Sequence, residues 1–273
     1  TSSRVARIAS IVRIMPDRAF NPLVVALAYD GLCTFEFGVA VEVFGLKRPE
    51  MGEGWYHFAV AAEVPVPLRA AGGVTVTAEG GLDLLARAGT VVVPGWRAID
   101  APVPEAVREA VRAAHLRGAR VLSLCSGVAV LAAAGLLDGR RCTTHWRYAA
   151  ALKARYPALT VDPAVLYVDG GSVLTAAGSA AGIDLCLHLV RRDFGPEAAN
   201  SVARRLVVPP HREGGQAQFI PRPVQKRPGT RLAPLLDTVR ARLDEGWTLP
   251  RMAEAGAMSL RALHRRFREA TGL

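Results

Sequence analysis

The sequence predicts an α/β fold, a mainly parallel sheet sandwiched by helices, with a separate all-α segment at its C-terminus. Three observations predict it. From Pro22 to about Val208, short continuous apolar runs alternate with amphipathic segments, the pattern of parallel strands covered on both faces by crossover helices. A stretch with Pro209, Pro210, Gly214, Gly215, Pro221, Pro223, Pro228 and Gly229 follows, which reads as a linker. Three short helical patterns then complete the sequence. The expected organisation is an N-terminal extension over 1–21, an α/β domain over 22–208, a linker over 209–229 and a helical domain over 230–273.

The elements follow in order. Leu23 to Tyr29 reads as a buried strand and Phe35 to Phe44 as a helix with Phe37, Val41 and Phe44 on one face. His57 to Val64 is a second strand, and Thr90 to Val93 a third, ended by Pro94-Gly95. Val103 to Leu116 is an amphipathic helix, Arg120 to Leu124 a fourth strand, and Val128 to Leu137 a helix closed by Asp138-Gly139. Leu166 to Val168 and Ser172 to Thr175 read as a hairpin around Asp169-Gly170-Gly171. Ile183 to Arg192 and Pro196 to Leu206 are further helices. After the linker come Leu232 to Leu243, Pro250 to Ala255 and Leu260 to Ala270.

Composition bounds the class. The chain has 273 residues, about half of them hydrophobic, enough for a sizeable core without disulfides or metal. No apolar run approaches the roughly 18 residues that would span a bilayer, and the first twenty residues are interrupted by arginines where a signal peptide needs a continuous apolar stretch. The four cysteines, Cys33, Cys125, Cys142 and Cys186, lack the close spacing of a zinc site. A reduced cytoplasmic protein is the expectation, with no cofactor, no metal and no membrane partner. Charge is uneven: residues 1–20 carry four arginines and one aspartate, 21–210 carry 18 basic and 17 acidic side chains, and 211–273 carry 12 basic and 6 acidic. A polyanion partner for the C-terminal part accounts for this, as does an ordinary solvated arginine-rich surface.

In the C-terminal segment Thr248 is placed to cap a helix with Pro250 near its start. Ala255-Gly256-Ala257 reads as a turn, and Ser259 caps the next helix. Two short helices joined this way form the helix-turn-helix pattern. The second helix carries Leu260, Leu263 and Phe267 as its core stripe and Arg261, His264, Arg265, Arg266 and Arg268 on its other faces. A helix apolar on one side and cationic elsewhere suits a major groove; a basic surface helix is the alternative. In the α/β part, strand Val121 to Leu124, then Cys125-Ser126-Gly127, then a helix make a strand-turn-helix elbow. A cysteine there sits where a helix dipole favours a thiolate, or is a buried residue beside a cap.

Two resemblances sharpen these readings. Met258-Ser259-Leu260-Arg261-Ala262-Leu263-His264-Arg265-Arg266-Phe267, ending at Gly272, resembles the first helix-turn-helix of AraC/XylS regulators. It implies DNA-facing roles for Ser259, Leu260, Arg261, His264, Arg265 and Arg268. The AraC/XylS domain has a second helix-turn-helix, so the helical segment corresponds to its first half. Residues 22–208 resemble the PfpI / class I glutamine amidotransferase-like superfamily, and within it the GlxA-type, FtrA-like regulators. The matching residues are Tyr29-Asp30-Gly31 with Phe35-Glu36, Val91-Val92-Val93-Pro94-Gly95, Leu124-Cys125-Ser126-Gly127, Leu136-Leu137-Asp138-Gly139-Arg140, Thr143-Thr144-His145-Trp146 and Ala180-Ala181-Gly182-Ile183-Asp184.

That resemblance implies a flavodoxin-like sheet, a homodimer through the α/β domain, and a pocket holding Cys125, Glu36 and His145, the equivalents of the superfamily's catalytic residues. Gly95, Trp96 and Ser126 would complete it, Gly95 offering backbone N–H groups. In sensor members the pocket takes a small-molecule effector. The implied whole is a DNA-binding transcription regulator, not an enzyme, with double-stranded DNA, an effector and RNA polymerase as partners. Alternatives are a cysteine-dependent hydrolase, hydratase or deglycase, for which Trp96 stands where many enzymes have a second glycine, and a thiol redox sensor at Cys125. Cys33, Cys142 and Cys186 read as packing residues.

Overall fold

A computed structural model describes residues 20–218 and 232–271. Residues 1–19 of the expected extension, 219–229 of the expected linker, and Gly272 lie outside them. The chain divides into two units, Thr1–Gln218 and Phe219–Leu273.

In the first unit the strands are β1 (Leu23–Ala28), β2 (His57–Ala62), β3 (Leu68–Arg69), β4 (Thr75–Val76), β5 (Thr90–Pro94), β6 (Arg120–Leu124), β7 (Arg141–Cys142), β8 (Thr160–Val161), β9 (Tyr167–Asp169) and β10 (Val173–Ala176). Its helices are α1 (Thr34–Ala40), α2 (Glu105–Leu116), α3 (Val128–Ala133), α4 (Trp146–Arg155) and α5 (Ala180–Leu206). Six strands form one sheet in the order β2-β1-β5-β6-β10-β9, and β3-β4 and β7-β8 are two-stranded additions. All neighbours in the main sheet are parallel except β9, which returns antiparallel on β10 through the expected Gly170-Gly171 turn. The architecture is therefore the flavodoxin-like one.

Alternation along each strand makes two cores, because successive side chains point to opposite faces. Val25, Leu27, Val91, Val93 and Val121 face α2 and α3, while Val24, Val92, Leu122 and Leu124 face α1 and α5. Both faces are dry, which is why the strands read as unbroken apolar runs. Helix α1 passes into a single wide turn at Val41–Gly45, and α5 is two helical stretches joined across a break at Gly195-Pro196, as the separate patterns on either side of that dipeptide implied.

The first ten residues of the expected linker fall within the first unit. Residues 209–218 pack on the first unit: Leu166 and Tyr167 donate to the Gly214 carbonyl, Arg212 makes a bidentate pair with buried Asp184 at 2.8 and 2.5 Å, and Gln218 is buried. Buried hydrogen-bond partners hold this irregular backbone in place of a helix or strand.

In the second unit α6 (Leu232–Ala241), α7 (Leu249–Ala255) and α8 (Leu260–Thr271) pack around Leu232, Leu235, Val239, Ala253 and Leu263. Of the expected core stripe on α8, only Leu263 is enclosed; Leu260 and Phe267 are 44% and 39% exposed. Three short helices supply one shared core layer, which the single central position of α8 fills. Among the described residues no helix is long and apolar enough to cross a membrane.

Candidate functional site

The first site lies at the carboxyl ends of β1, β5 and β6, where crossover loops diverge and leave a crevice. Strand β6 ends at Leu124, and Cys125 follows with φ +54°, a left-handed conformation that costs a non-glycine residue about 1–2 kcal/mol. A tight turn, Cys125–Gly127, then leads into α3. The elbow is held from the other side by Gly178 after β10, where a Cβ would come 2.3 Å from the Cys125 Cβ; only glycine permits that approach.

Glu36, in the first turn of α1, is buried against the elbow and accepts a hydrogen bond from the Ser179 N–H at 3.2 Å. The Cys125 thiol lies within electrostatic reach of the same carboxylate. Burial, then the Glu36 charge, push the Cys125 thiol up to about 12. Of the two sequence readings, a thiolate or a cysteine enclosed beside a cap, this direction favours the second: α3 is only six residues long, and burial with a carboxylate nearby opposes its dipole.

His145 is the N-cap of α4, its Nδ1 accepting from the Arg147 N–H at 3.3 Å. Burial and the Arg147 charge lower its pKa, with Glu36 opposing. The lone pair a general base would need is thus spent on the cap. The main chain expected to stabilise an oxyanion is also committed. Gly95 donates its N–H to the Val93 carbonyl at 3.0 Å, and Trp96 donates its N–H to Ser126 Oγ at 2.9 Å while accepting from that hydroxyl at its carbonyl. Gly95 therefore offers the site no free N–H. Its φ of +87° and the 2.6 Å that would separate an added Cβ from Cys33 Sγ explain its identity.

Two residues enter the site that sequence patterns did not mark. Cys33, expected to be packing, opens α1 half-buried, with Sγ 4.0 Å from the Trp96 carbonyl and its N–H 3.5 Å from the Tyr29 hydroxyl. Its place comes from α1 meeting the Gly95 turn, a tertiary approach with no local signal. Cys142 and Cys186 are fully buried packing residues, as expected. Gln218 is the second. Its amide nitrogen donates to the Thr144 and Val165 carbonyls at 3.0 and 2.9 Å, and its oxygen accepts from the Trp146 N–H at 3.0 Å. Thr144 in turn donates to the Cys125 carbonyl at 2.8 Å. The end of the first unit thereby clamps the loop that carries His145.

The second site is the exposed surface of α8. Thr248 caps α7, accepting from the Arg251 N–H at 3.4 Å, and Ser259 caps α8, accepting from the Ala262 N–H at 3.2 Å. The spacing of Arg261, His264, Arg265 and Arg268 places all four on one face of the helix, where they and Ser259 line an open hollow. Leu260 stands exposed at the helix start.

The profile of the DJ-1/PfpI family matches residues 23–192. The HTH-type transcriptional regulator CdhR of Pseudomonas aeruginosa is 34% identical over 154 residues, covering 56% of this chain and 45% of that protein. The HTH-type transcriptional regulator GbdR of the same species is 26% identical over 259 residues, covering 93% of this chain and 70% of that protein, and so reaches into the second unit. The match thus spans about half the length of CdhR. Among solved structures, that of an AraC family transcriptional regulator from Pseudomonas putida superposes with a TM-score of 0.60 at 22% identity, over 67% of this chain and 98% of that one, a likeness of fold. With its sheet order, its elbow cysteine and a family match over most of the first unit, the chain belongs to the DJ-1/PfpI family.

Proposed function

We propose that this chain is a cytoplasmic, DNA-binding transcription regulator of the AraC class, whose α/β unit senses a small metabolite in the pocket around Cys125. The observation that carries the reading is the α8 surface: four cationic or titratable side chains at helical spacing on one exposed face, behind a doubly capped turn. Arginine at such positions reaches phosphates and guanine edges. The regulator relatives support it. In this reading Ser259, Leu260, Arg261, His264, Arg265 and Arg268 meet double-stranded DNA. Glu36, Gly95, Trp96, Cys125, Ser126 and His145 surround the effector, the second unit begins after Gln218, and RNA polymerase is contacted from the DNA-bound state. Two copies pair through the α/β units, with the exposed Phe35 on α1 and the apolar groove between α1 and α5 as the contact. A symmetric pair presents two α8 helices to two half-sites.

The hydrolase reading is weaker on geometry. Its nucleophile is held as a thiol, its histidine is turned to a helix cap, and its oxyanion donors are bonded elsewhere. The redox reading meets the same thiol. The test is binding of the intact gene product to its own upstream DNA across a salt series, beside Arg261→Ala and Arg265→Ala. Site-preferring binding with a steep salt slope, weakened by either substitution, is expected. Binding equal to that of random DNA and unmoved by both removes the reading and directs attention to Cys125 chemistry.

A further inference from the structure

A cavity of about 220 Å³ opens beside the Cys125 site, at the carboxyl ends of β1 and β2. Its walls are apolar, with Leu27, Leu68 and Val107 on one side and the Tyr29 and Trp96 rings on the other. The rings stand 4.6 Å apart between centroids. Trp96 is 2% exposed and its indole N–H is buried without an acceptor, a donor that natural interiors normally satisfy. At the mouth, the Arg97 guanidinium lies over the Trp96 ring at 4.9 Å, and only its Nε is bonded, to the Asp30 carbonyl at 2.9 Å. Its two terminal nitrogens have no hydrogen-bond partner among the described residues. The Asp30 carboxylate is bonded through both oxygens to Arg69 at 3.0 and 2.6 Å and makes no hydrogen bond to Arg97. Glu63, the other acid on the rim, is exposed to solvent.

We infer that this cavity binds a small apolar monocarboxylate, aliphatic or aryl, with its hydrocarbon body between the two rings and the strand ends and its carboxylate on Arg97. The guanidinium stacked on the Trp96 ring presents unbonded donors at the mouth, while Glu63 stands in solvent on the rim, so the complementary ligand is an acceptor that carries negative charge. A guanidinium fork matches a carboxylate bidentately. The volume holds roughly seven water-sized groups, which fits such an acid and is too small for a nucleotide. The site also touches the elbow, since the Trp96 main chain is bonded in both directions to Ser126. The inference goes beyond the sensing role proposed above, because the cavity shares only Trp96 with the residues assigned to the Cys125 pocket. Binding is read on the protein without DNA, so its failure and a failure of DNA recognition are told apart.

The test titrates the full chain with hexanoate and benzoate, with hexanol and hexylammonium as matched controls, followed by calorimetry and tryptophan fluorescence. Hexanoate is expected to bind at least about tenfold tighter than hexanol. Arg97→Gln is expected to erase that preference while leaving the fold intact, as Arg97 is exposed. Val66, on the rim and 48% exposed, gives a second variant: Val66→Trp is expected to block both ligands without altering the core, and Glu63→Gln to tighten hexanoate at low salt. Preference for hexylammonium, binding indifferent to Arg97→Gln and Val66→Trp, or no saturable binding of either acid overturns the inference.

Discussion

At the residue scale the decisive relation is between Cys125 and Glu36. A carboxylate can raise or lower the usefulness of a neighbouring thiol, and here burial and charge act together to keep the proton on sulfur. With the thiol near 12 against an ordinary value of 9.0, alkylation of Cys125 by iodoacetamide at neutral pH is expected to run about 10³-fold slower than that of an exposed cysteine. Glu36→Gln removes the opposing charge and should accelerate it. In a hydrolytic pair, where the carboxyl assists, the same change would slow it, so the sign decides between sensor and enzyme. The linkage has a matching sign. A folded-state pKa raised above the unfolded one stabilises the protein below pH about 9, and that contribution is lost as pH rises through about 12.

Gln218 belongs to the same scale. Its side chain satisfies two buried carbonyls and one buried N–H. Gln218→Ala is expected to cost about 2–3 kcal/mol in urea unfolding by orphaning them, and to loosen the loop at His145. A loss below about 0.5 kcal/mol would show that water replaces the clamp. Sequence patterns could not single out this glutamine, because it follows prolines and glycines that read as linker and its partners lie more than fifty residues away.

At the element scale, legibility followed burial symmetry. Strands β1, β5 and β6 are covered on both faces, so their sequences are short, mainly apolar runs, and their positions were readable to within a residue. Helix α4 was not, since it buries only Ala149 and Leu152 and shows no apolar stripe. The site divides the same way. The elbow cysteine is a local strand-turn-helix feature, whereas the consumption of the Trp96 N–H depends on where Ser126 falls across the sheet. The turn between α7 and α8 holds a subtler case. Gly256 invites the assumption that it supplies the left-handed residue, but its φ is −86° and Ala257 carries +48°. Gly256 is there for space: an added Cβ would meet Met258 Cε at 2.7 Å and Leu235 Cδ2 at 3.1 Å. Ala257→Gly is therefore expected to raise stability by about 0.5–1 kcal/mol, relief of strain exceeding the entropy added to the unfolded chain. Gly256→Ala should lower it by pushing α6 from the turn. Thermal unfolding of both variants checks the pair; the reverse order would mean the turn is not formed this way.

At the scale of the whole molecule, the net charge and the symmetry proposed for it can be tested in one quantity. Residues 211–273 hold 12 of the chain's 34 basic side chains, and the α8 face concentrates three arginines with His264. Each phosphate neutralised releases counterions and adds about 0.9 to the slope of log affinity against log salt. A monomer that loses one phosphate-contacting arginine should lose about one unit of slope. A symmetric dimer loses the same contact twice, so Arg265→Ala or Arg268→Ala should lower the slope by about two, whereas a residue reading bases should alter site preference more than slope. Phe35→Glu sets a charge on the exposed apolar patch of α1 and is expected to yield a monomer by sedimentation. In that background the same arginine substitution should lower the slope by about one. A unit change in both backgrounds would place one α8 on the DNA at a time and end the paired reading. A two-unit change that persists in the Phe35→Glu protein would mean that the copies meet on the DNA through some other surface.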